Sequence, residues 1–283
     1  MSNNKKDSLG DRMKENYENR SKTYLVRRTP VIVRLDGKSF HTFTKGFKRP
    51  YDEIFHTAMN NTLKYLCENI QGCKVGYTQS DEITLLLMDD DTLTTDAFFD
   101  YSVQKVCSIT ASMATLKFNQ YFRTACNEFF SGKIISDDLG DYHTIMMTAK
   151  DRGAMFDSRC FNIPKEEIEN CFIWRQQDAT RNAIQMLGQA HFSHKTLQNR
   201  SCNDIQDLLM TEKGINFNDM PTEFKRGVCC VKEIYYPTPA PGYEDCDIDA
   251  STARTRWVID KEIPIFTQDR LYIRKNIEIA KNK

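Results

Sequence analysis

An α+β fold is predicted from three observations: short β-branched runs bounded by Pro and Gly, longer segments whose apolar residues recur at three and four, and a length of 283 residues. That length suits one large domain, or one domain with a substantial appendage. Hydrophobic residues are 40% and charged residues 28% of the chain, a balance that excludes wholesale disorder.

Taken in order, Val31 to Leu35 reads as a short strand running into Asp36-Gly37, with Pro30 and Gly37 as punctuation. From Tyr51 to Ile70, the residues Ile54, Phe55, Ala58, Met59, Leu63, Leu66 and Ile70 mark one face of a helix that follows Lys48-Arg49-Pro50. Lys74 to Gln79 and Ile83 to Met88 form two strands around the compact polar element Ser80-Asp81-Glu82, which places these carboxylates at a hairpin tip. Asp96 to roughly Gln120 is helical by period, with Phe99, Val103, Val106, Ile109, Met113 and Leu116 on one side. Thr144 to Thr148 is the candidate for one more strand, which would complete a βαββαβ unit of the ferredoxin-like kind. Ser131 to Asp141 reads as a loop and Asp89-Asp90-Asp91 as a turn.

Beyond Arg152 come the string FDSRCFNIP and a helix from about Glu169 to His194, with Trp174, Ile184, Met186, Leu187 and Ala190 turned inward. A short helix over Cys202 to Met210, a strand over Val228 to Tyr236 and a Pro-rich turn over Pro237 to Pro241 follow. The chain is thus expected to divide into a core of residues 24–150 and an additional, mostly helical part of residues 151–283, packed as one integrated unit.

No apolar run approaches the roughly 20 residues that span a bilayer, and the polar start MSNNKKDSLGDRMKENYENRSKTY lacks the apolar segment of a secretory signal. Its Asp and Glu residues are also unlike a typical mitochondrial transit peptide, so the cytoplasm is the expected location, with the mitochondrion as the alternative. The ten cysteines include no CxxC pair, which speaks against zinc and redox motifs and leaves Cys67 and Cys107 as small hydrophobes. With 39 basic and 39 acidic residues the whole molecule carries no net field, so local charge decides. Between Arg27 and Arg49 seven basic residues surround one acid, Asp36.

Phosphoryl transfer needs a divalent cation to neutralise phosphate oxygens, and magnesium takes one or two carboxylates and completes its shell with water, backbone oxygen and phosphate. Asp36 at a strand end and Asp81 at a hairpin tip supply such a pair if their strands are neighbours, with Glu82 in reserve or supporting them from behind. Gly37, lacking Cβ, leaves room for phosphate to approach, and Arg34, Lys38, Lys48 and Arg49 are placed to reach a triphosphate. Spacing alone favours an ordinary turn and a solvated tip; the surrounding wording decides. His191 and His194 find no third or fourth metal ligand, whereas His41, in the loop after Asp36-Gly37, is a candidate hydrogen-bond donor to a triphosphate, with a packed loop histidine as the alternative. Arg152, Arg159, Arg175, Arg181 and Lys195 are candidates for RNA contact, while the interleaved Phe156, Phe161, Phe172 and Trp174 are assigned to packing.

The strings VIVRLDGKSFHTFTKGFKRPYD and YTQSDEITLLL, then FDSR, WRQQDATRN and GINFND followed by KRG, occur in the order of the tRNA-histidine guanylyltransferase superfamily, which the chain resembles from about residue 24 to residue 230. The resemblance implies a polymerase-palm-like catalytic domain over 24–150, a tRNA-binding and oligomerisation part over 151–283, a homotetramer, and 3′-to-5′ nucleotide addition to the 5′ end of tRNA. It implies two magnesium ions held by Asp36, the carbonyl of Gly37 and Asp81, and ATP and GTP or another nucleoside triphosphate as substrates. The segment Asp36, Gly37, Lys38, Ser39, Phe40 and His41, with Ser80, Asp81 and Asn216 of GINFND, would contact the nucleotide. By this resemblance a 5′-monophosphorylated RNA is adenylylated by ATP before the incoming nucleotide attacks, and catalysis falls to Asp36, Asp81 and Glu82.

Eukaryotic members specific for tRNA-histidine carry His-Ile-Asn-Asn where this chain has Thr180-Arg181-Asn182-Ala183. That departure, with HFSHKTLQ after it, is similar to the Thg1-like branch, which repairs 5′-truncated tRNA. The alternative is addition of a single G to tRNA-histidine. A silent RNA-binding module is disfavoured by the intact Asp36, Asp81 and Glu82, and a nucleotide cyclase by the strings after residue 150.

Overall fold

A computed structural model describes residues 8–133, 137–236 and 253–281. The elements in chain order are α1 (Leu9–Asn16), β1 (Val31–Gly37), α2 (Phe40–Phe43), α3 (Glu53–Asn69), β2 (Cys73–Gln79), β3 (Glu82–Leu87), α4 (Val103–Phe130), α5 (Asp137–Arg152) and β4 (Phe156–Asn162). They continue with α6 (Ile168–His191), α7 (His194–Leu197), α8 (Cys202–Lys213), α9 (Thr222–Arg226), β5 (Val228–Tyr235), β6 (Arg254–Asp260) and α10 (Leu271–Lys281). The predicted turn over Pro237 to Pro241 lies outside the described residues.

The fold is mixed α/β around one antiparallel sheet in the order β4-β1-β3-β2-β5-β6. β3 lodges between β1 and β2, which α3 connects. Side chains alternate across a strand, and β1 divides its residues between two cores. Val31, Val33 and Leu35 join Leu63, Leu66, Phe118 and Phe122 of α3 and α4. Ile32 joins Val75, Tyr77, Leu86 and Phe172, with Ile273 of α10, on the other face. A third, smaller core joins Ala183, Ile184 and Leu187 of α6 to Leu209 of α8 and Phe224 of α9. Helix starts are set locally: Asp52 caps α3 by accepting the Phe55 N–H at 3.0 Å, and Ser201 with Asp204 forms a capping box at α8.

Several expectations are corrected. Thr144 to Thr148 is no strand; it lies within α5, where Tyr142, Met146 and Ala149 are buried at helical spacing. The same helix begins at Asp137, inside the stretch expected to be loop. The strand beside β1 is β4, whose residues pair from Val31↔Asn162 to Gly37↔Phe156. The helix expected from Asp96 begins only at Val103, and its inward stripe is Val106, Thr110, Ala114, Phe118 and Phe122. Phe99, Ile109 and Leu116 are exposed instead, because the small Thr110 and Ala114 form the packed side of α4. Trp174, assigned to the interior, is 47% exposed, whereas Ile184 and Leu187 are buried as expected. Beyond residue 151 the expected strand is present as β5 (Val228–Tyr235), and β4 and β6 join the same sheet. Among the described residues no helix is long and apolar enough to cross a membrane.

Candidate active site

β1 ends at Asp36-Gly37, where its neighbours in register are Glu82 of β3 and Asp157 of β4. The β2–β3 turn is tight, with Ser80 at φ 54°, a left-handed conformation that folds the tip back on itself. The Gly37 N–H donates to the Asp81 carbonyl at 3.1 Å, so the strand end and the hairpin tip are tied together. A Cβ on Gly37 would collide with the Phe40 ring. The Phe40 ring is thus one structural reason for a glycine at this position.

The three expected carboxylates differ in their company. Glu82 accepts from Arg34 at 3.3 Å and from the buried Arg175, which also pairs with Asp178 at 3.1 Å. Asp81 accepts from the Ser80 hydroxyl at 3.0 Å. Among the described residues no ion pair joins Asp36 or Asp81 to a basic side chain. Burial pushes the Asp81 carboxyl up to about 6, and the neighbouring Asp36 and Glu82 add to it. Asp36 is raised too, first by burial and then by Glu82 and Asp157. Both carboxyls are thus held up mainly by burial, with neighbouring acids adding to it, a combination that a bound cation relieves.

Next to Asp81 opens a cleft of about 290 Å³ lined by His41, Lys48, Arg49 and Ser80, with Met186 and Gln189 of α6 across from them. Its loop wall hangs on Phe40, buried with its ring 5.1 to 6.0 Å from Phe43, Phe55, Phe118 and Phe156. Phe40 thus offers the cleft little beyond its backbone and ring edge. Lys38 donates its N–H to Met155 at 2.9 Å, and Ser39 has φ 56°. Both side chains are exposed at the loop entrance. Lys48 lies over the Phe129 and Tyr142 rings at 4.7 and 4.6 Å, and its N–H reaches the same Asp52 carboxylate that caps α3.

Asn216 is not among the residues lining this cleft; its side chain accepts the Asn218 N–H at 3.0 Å and closes a turn before α9. The five basic residues considered for RNA are dispersed. Arg152 donates to the Thr42 and Phe43 carbonyls, Arg159 pairs with Asp157, and Arg175 is buried. Arg181 is exposed beside Asp178, and Lys195 is exposed on α7.

Sequence reasoning missed His56, which lines the cleft, stacks on Tyr51 at 4.0 Å and is held at about 3 by burial, with a smaller contribution from Lys261. It also missed Asp157, whose exposed place beside Asp36 shows as alternation in FDSRCFN once β4 is known. Among the described residues no group of three or more His, Cys, Asp or Glu is arranged to hold a metal. A pair of carboxylates with a backbone carbonyl falls short of that count and is still a magnesium-type donor set. A larger groove of about 870 Å³ runs along α4, but Arg123 is its only charged lining residue. It offers no site for a triphosphate.

Two carboxylates without basic partners therefore stand beside a cleft that carries Lys48 and Arg49, and the comparisons with known proteins give the class, a nucleotidyltransferase. A family model described as tRNAHis guanylyltransferase matches residues 10–164. A bacterial tRNA(His) guanylyltransferase (Thg1)-like protein solved in complex with ATP is 41% identical, with 96% of this chain and 100% of that chain covered at a TM-score of 0.76. One solved in complex with GTP is 39% identical, with 96% and 99% covered at a TM-score of 0.73. The tRNA(His) guanylyltransferase of Saccharomyces cerevisiae is 26% identical over 211 residues, 70% of this chain and 80% of that protein. The chain belongs to the tRNAHis guanylyltransferase family, as the sequence strings led us to expect.

Proposed function

We propose that this nucleotidyltransferase adds nucleotides in the 3′-to-5′ direction to the 5′ end of tRNA and so repairs truncated 5′ ends. The observation that carries the reading is the joining of Asp36 and Asp81 beside the His41–Lys48–Arg49–Ser80 cleft. Solved relatives in complex with ATP and GTP support a triphosphate there. We read the β1–α3–β2–β3–α4–β4 arrangement as a palm-like, ferredoxin-like core, with residues 24–150 and β4 handling nucleotides and the rest of 151–283 handling tRNA.

Asp36, Asp81 and the Gly37 carbonyl would hold two magnesium ions, and the raised, unpaired carboxylates fit that task. When bound, magnesium neutralises phosphate oxygens and lowers the barrier to in-line displacement. The chain's own groups position the reactants. Lys48, Arg49 and Lys38 offset triphosphate charge, His41 and Ser80 donate hydrogen bonds, and Glu82, fixed by Arg34 and Arg175, holds the hairpin beside β1. In the first step a 5′-phosphate oxygen of the RNA attacks the α-phosphorus of ATP and pyrophosphate leaves. In the second, the 3′-hydroxyl of the incoming nucleotide attacks the activated 5′-phosphorus, and AMP departs. Orientation within the cleft accounts for much of the rate.

The alternative, one G added to tRNA-histidine alone, is disfavoured by α6. Ala183, in place of asparagine, is fully buried against the α8 core, and Thr180, in place of histidine, is half-buried. The test supplies magnesium, ATP and all four nucleotides to several 5′-truncated tRNAs and to tRNA-histidine. Templated extension of the truncated tRNAs is expected; a single G on tRNA-histidine and nothing elsewhere would overturn the repair reading.

A further inference from the structure

The face of the sheet that carries Asp36 is only half covered. Ile32, Arg34 and Asp36 alternate toward the side where α6 packs, and their register partners on the outer strand are Phe161, Arg159 and Asp157. All three partners are exposed. Where the covered half meets the open half stands Trp174 of α6, 47% exposed. The Arg34 guanidinium lies 5.0 Å and the Arg175 guanidinium 4.5 Å from its ring centroid. Both arginines also pair with Glu82, the register neighbour of Asp36.

An indole left half in water carries exposed apolar area that packing would ordinarily hide. Here it is held in place by two cations that also hold Glu82, the register neighbour of Asp36. A flat aromatic face flanked by guanidiniums matches a nucleobase with its phosphate: the base stacks, and the charge finds a cation. Arg159 and the ring of Phe161, which is 37% exposed, extend the same surface to the sheet edge. The triphosphate cleft opens on the loop side of the Asp81 hairpin, between α2 and α6. A substrate on the open sheet would therefore approach the carboxylates from another direction.

We propose that Trp174 is the stacking platform for the 5′-terminal nucleobase of the RNA acceptor, with Arg159 and Phe161 continuing the track across β4. This rests on the tRNA reading above and names which surface receives the acceptor. It makes Trp174 a positioning residue: it places the 5′-phosphate against Asp36 and Asp81 and takes no part in bond making.

The protein contains two tryptophans, so a Trp257→Phe background leaves Trp174 as the reporter. Titrating this variant with 5′-monophosphorylated truncated tRNA, without ATP, is expected to quench its fluorescence; GTP or ATP alone is expected to leave it unchanged. In the otherwise native chain, Trp174→Ala should raise the KM for RNA about tenfold, with the KM for ATP unchanged, and Trp174→Phe should restore most of the loss. Thermal melts confirm folding. Quenching by nucleotide alone assigns the ring to the triphosphate base and overturns the proposal, as does an unchanged KM for RNA in Trp174→Ala. If the native chain extends no tRNA, the functional reading fails instead, and the fluorescence titration still decides separately whether RNA reaches Trp174.

Discussion

The two faces of β1 place different demands on alternate residues of one strand. Val31, Val33 and Leu35 are at most 1% exposed and sit in an aromatic and aliphatic core with α3 and α4. On the alternate face, Arg34 and Asp36 are half-buried and face carboxylates, guanidiniums and an open edge. On the first face all the favourable energy comes from burial. On the second, charge is left incompletely satisfied, most clearly at Asp36 and Asp81. The contrast separates what holds the sheet together from what the sheet is for, and substitutions on each face should therefore fail in different ways.

The largest expected effect is on activity. Asp36→Ala or Asp81→Ala should lower RNA extension about a thousandfold or more, since each removes a charge the transfer step needs, while the melting temperature holds or rises. A Tm that collapses with the activity would break the comparison, because these residues would then belong to the structural face. Phe118→Ala is the converse. Its ring is fully buried among Phe40, Phe43, Phe55, Phe122 and Phe156, and truncation should cost about 3–5 kcal/mol by denaturant unfolding. Arg175 tests the border. Arg175→Met leaves Glu82 with Arg34 alone and Asp178 with Arg181, so a loss of about 3 kcal/mol is expected. The folded fraction should also be less active, with the acid limb of its pH–rate profile moved upward as Glu82 weighs more heavily on Asp36.

The same contrast explains what the sequence disclosed. β1, α3, β2 and β3 were legible because each has buried residues at its own period and a Pro, Gly or polar stop at its end. Thr144 to Thr148 misled because Ile145, Met146 and Met147 in a short window fit a strand as well as a helix; only Tyr142 and Ala149 expose the helical period. β4 went unread because half of it faces water, so Asp157 and Arg159 dilute its apolar content. Asp36 and Asp81 could be found, since a strand end and a hairpin tip are local features. Met186, Gln189 and His56 enter the cleft through the way α6 and α3 are seated, which no local pattern encodes. Apolar period points Trp174 inward because it says which residues share a helix face, and not that the sheet beneath that face runs out.

The smallest expected effect is the most discriminating. Burial raises the Asp81 carboxyl from its ordinary 3.8 to about 6, so the folded protein binds this proton more tightly than the unfolded chain does. By linkage, in the metal-free protein the contribution of Asp81 to stability is fully present below about pH 4 and is lost as pH rises through about 6, where the folded state must carry the buried charge. Asp81→Asn removes that penalty. In chelator and without nucleotide, the variant should match the native protein near pH 4 and exceed it above pH 6, by at most about 3 kcal/mol for a shift of roughly two units. It should be inactive throughout. A native protein as stable as the variant at pH 7.5 would mean that Asp81 is already satisfied without a cation, and the division between the two faces of the sheet would have to be redrawn at the hairpin tip.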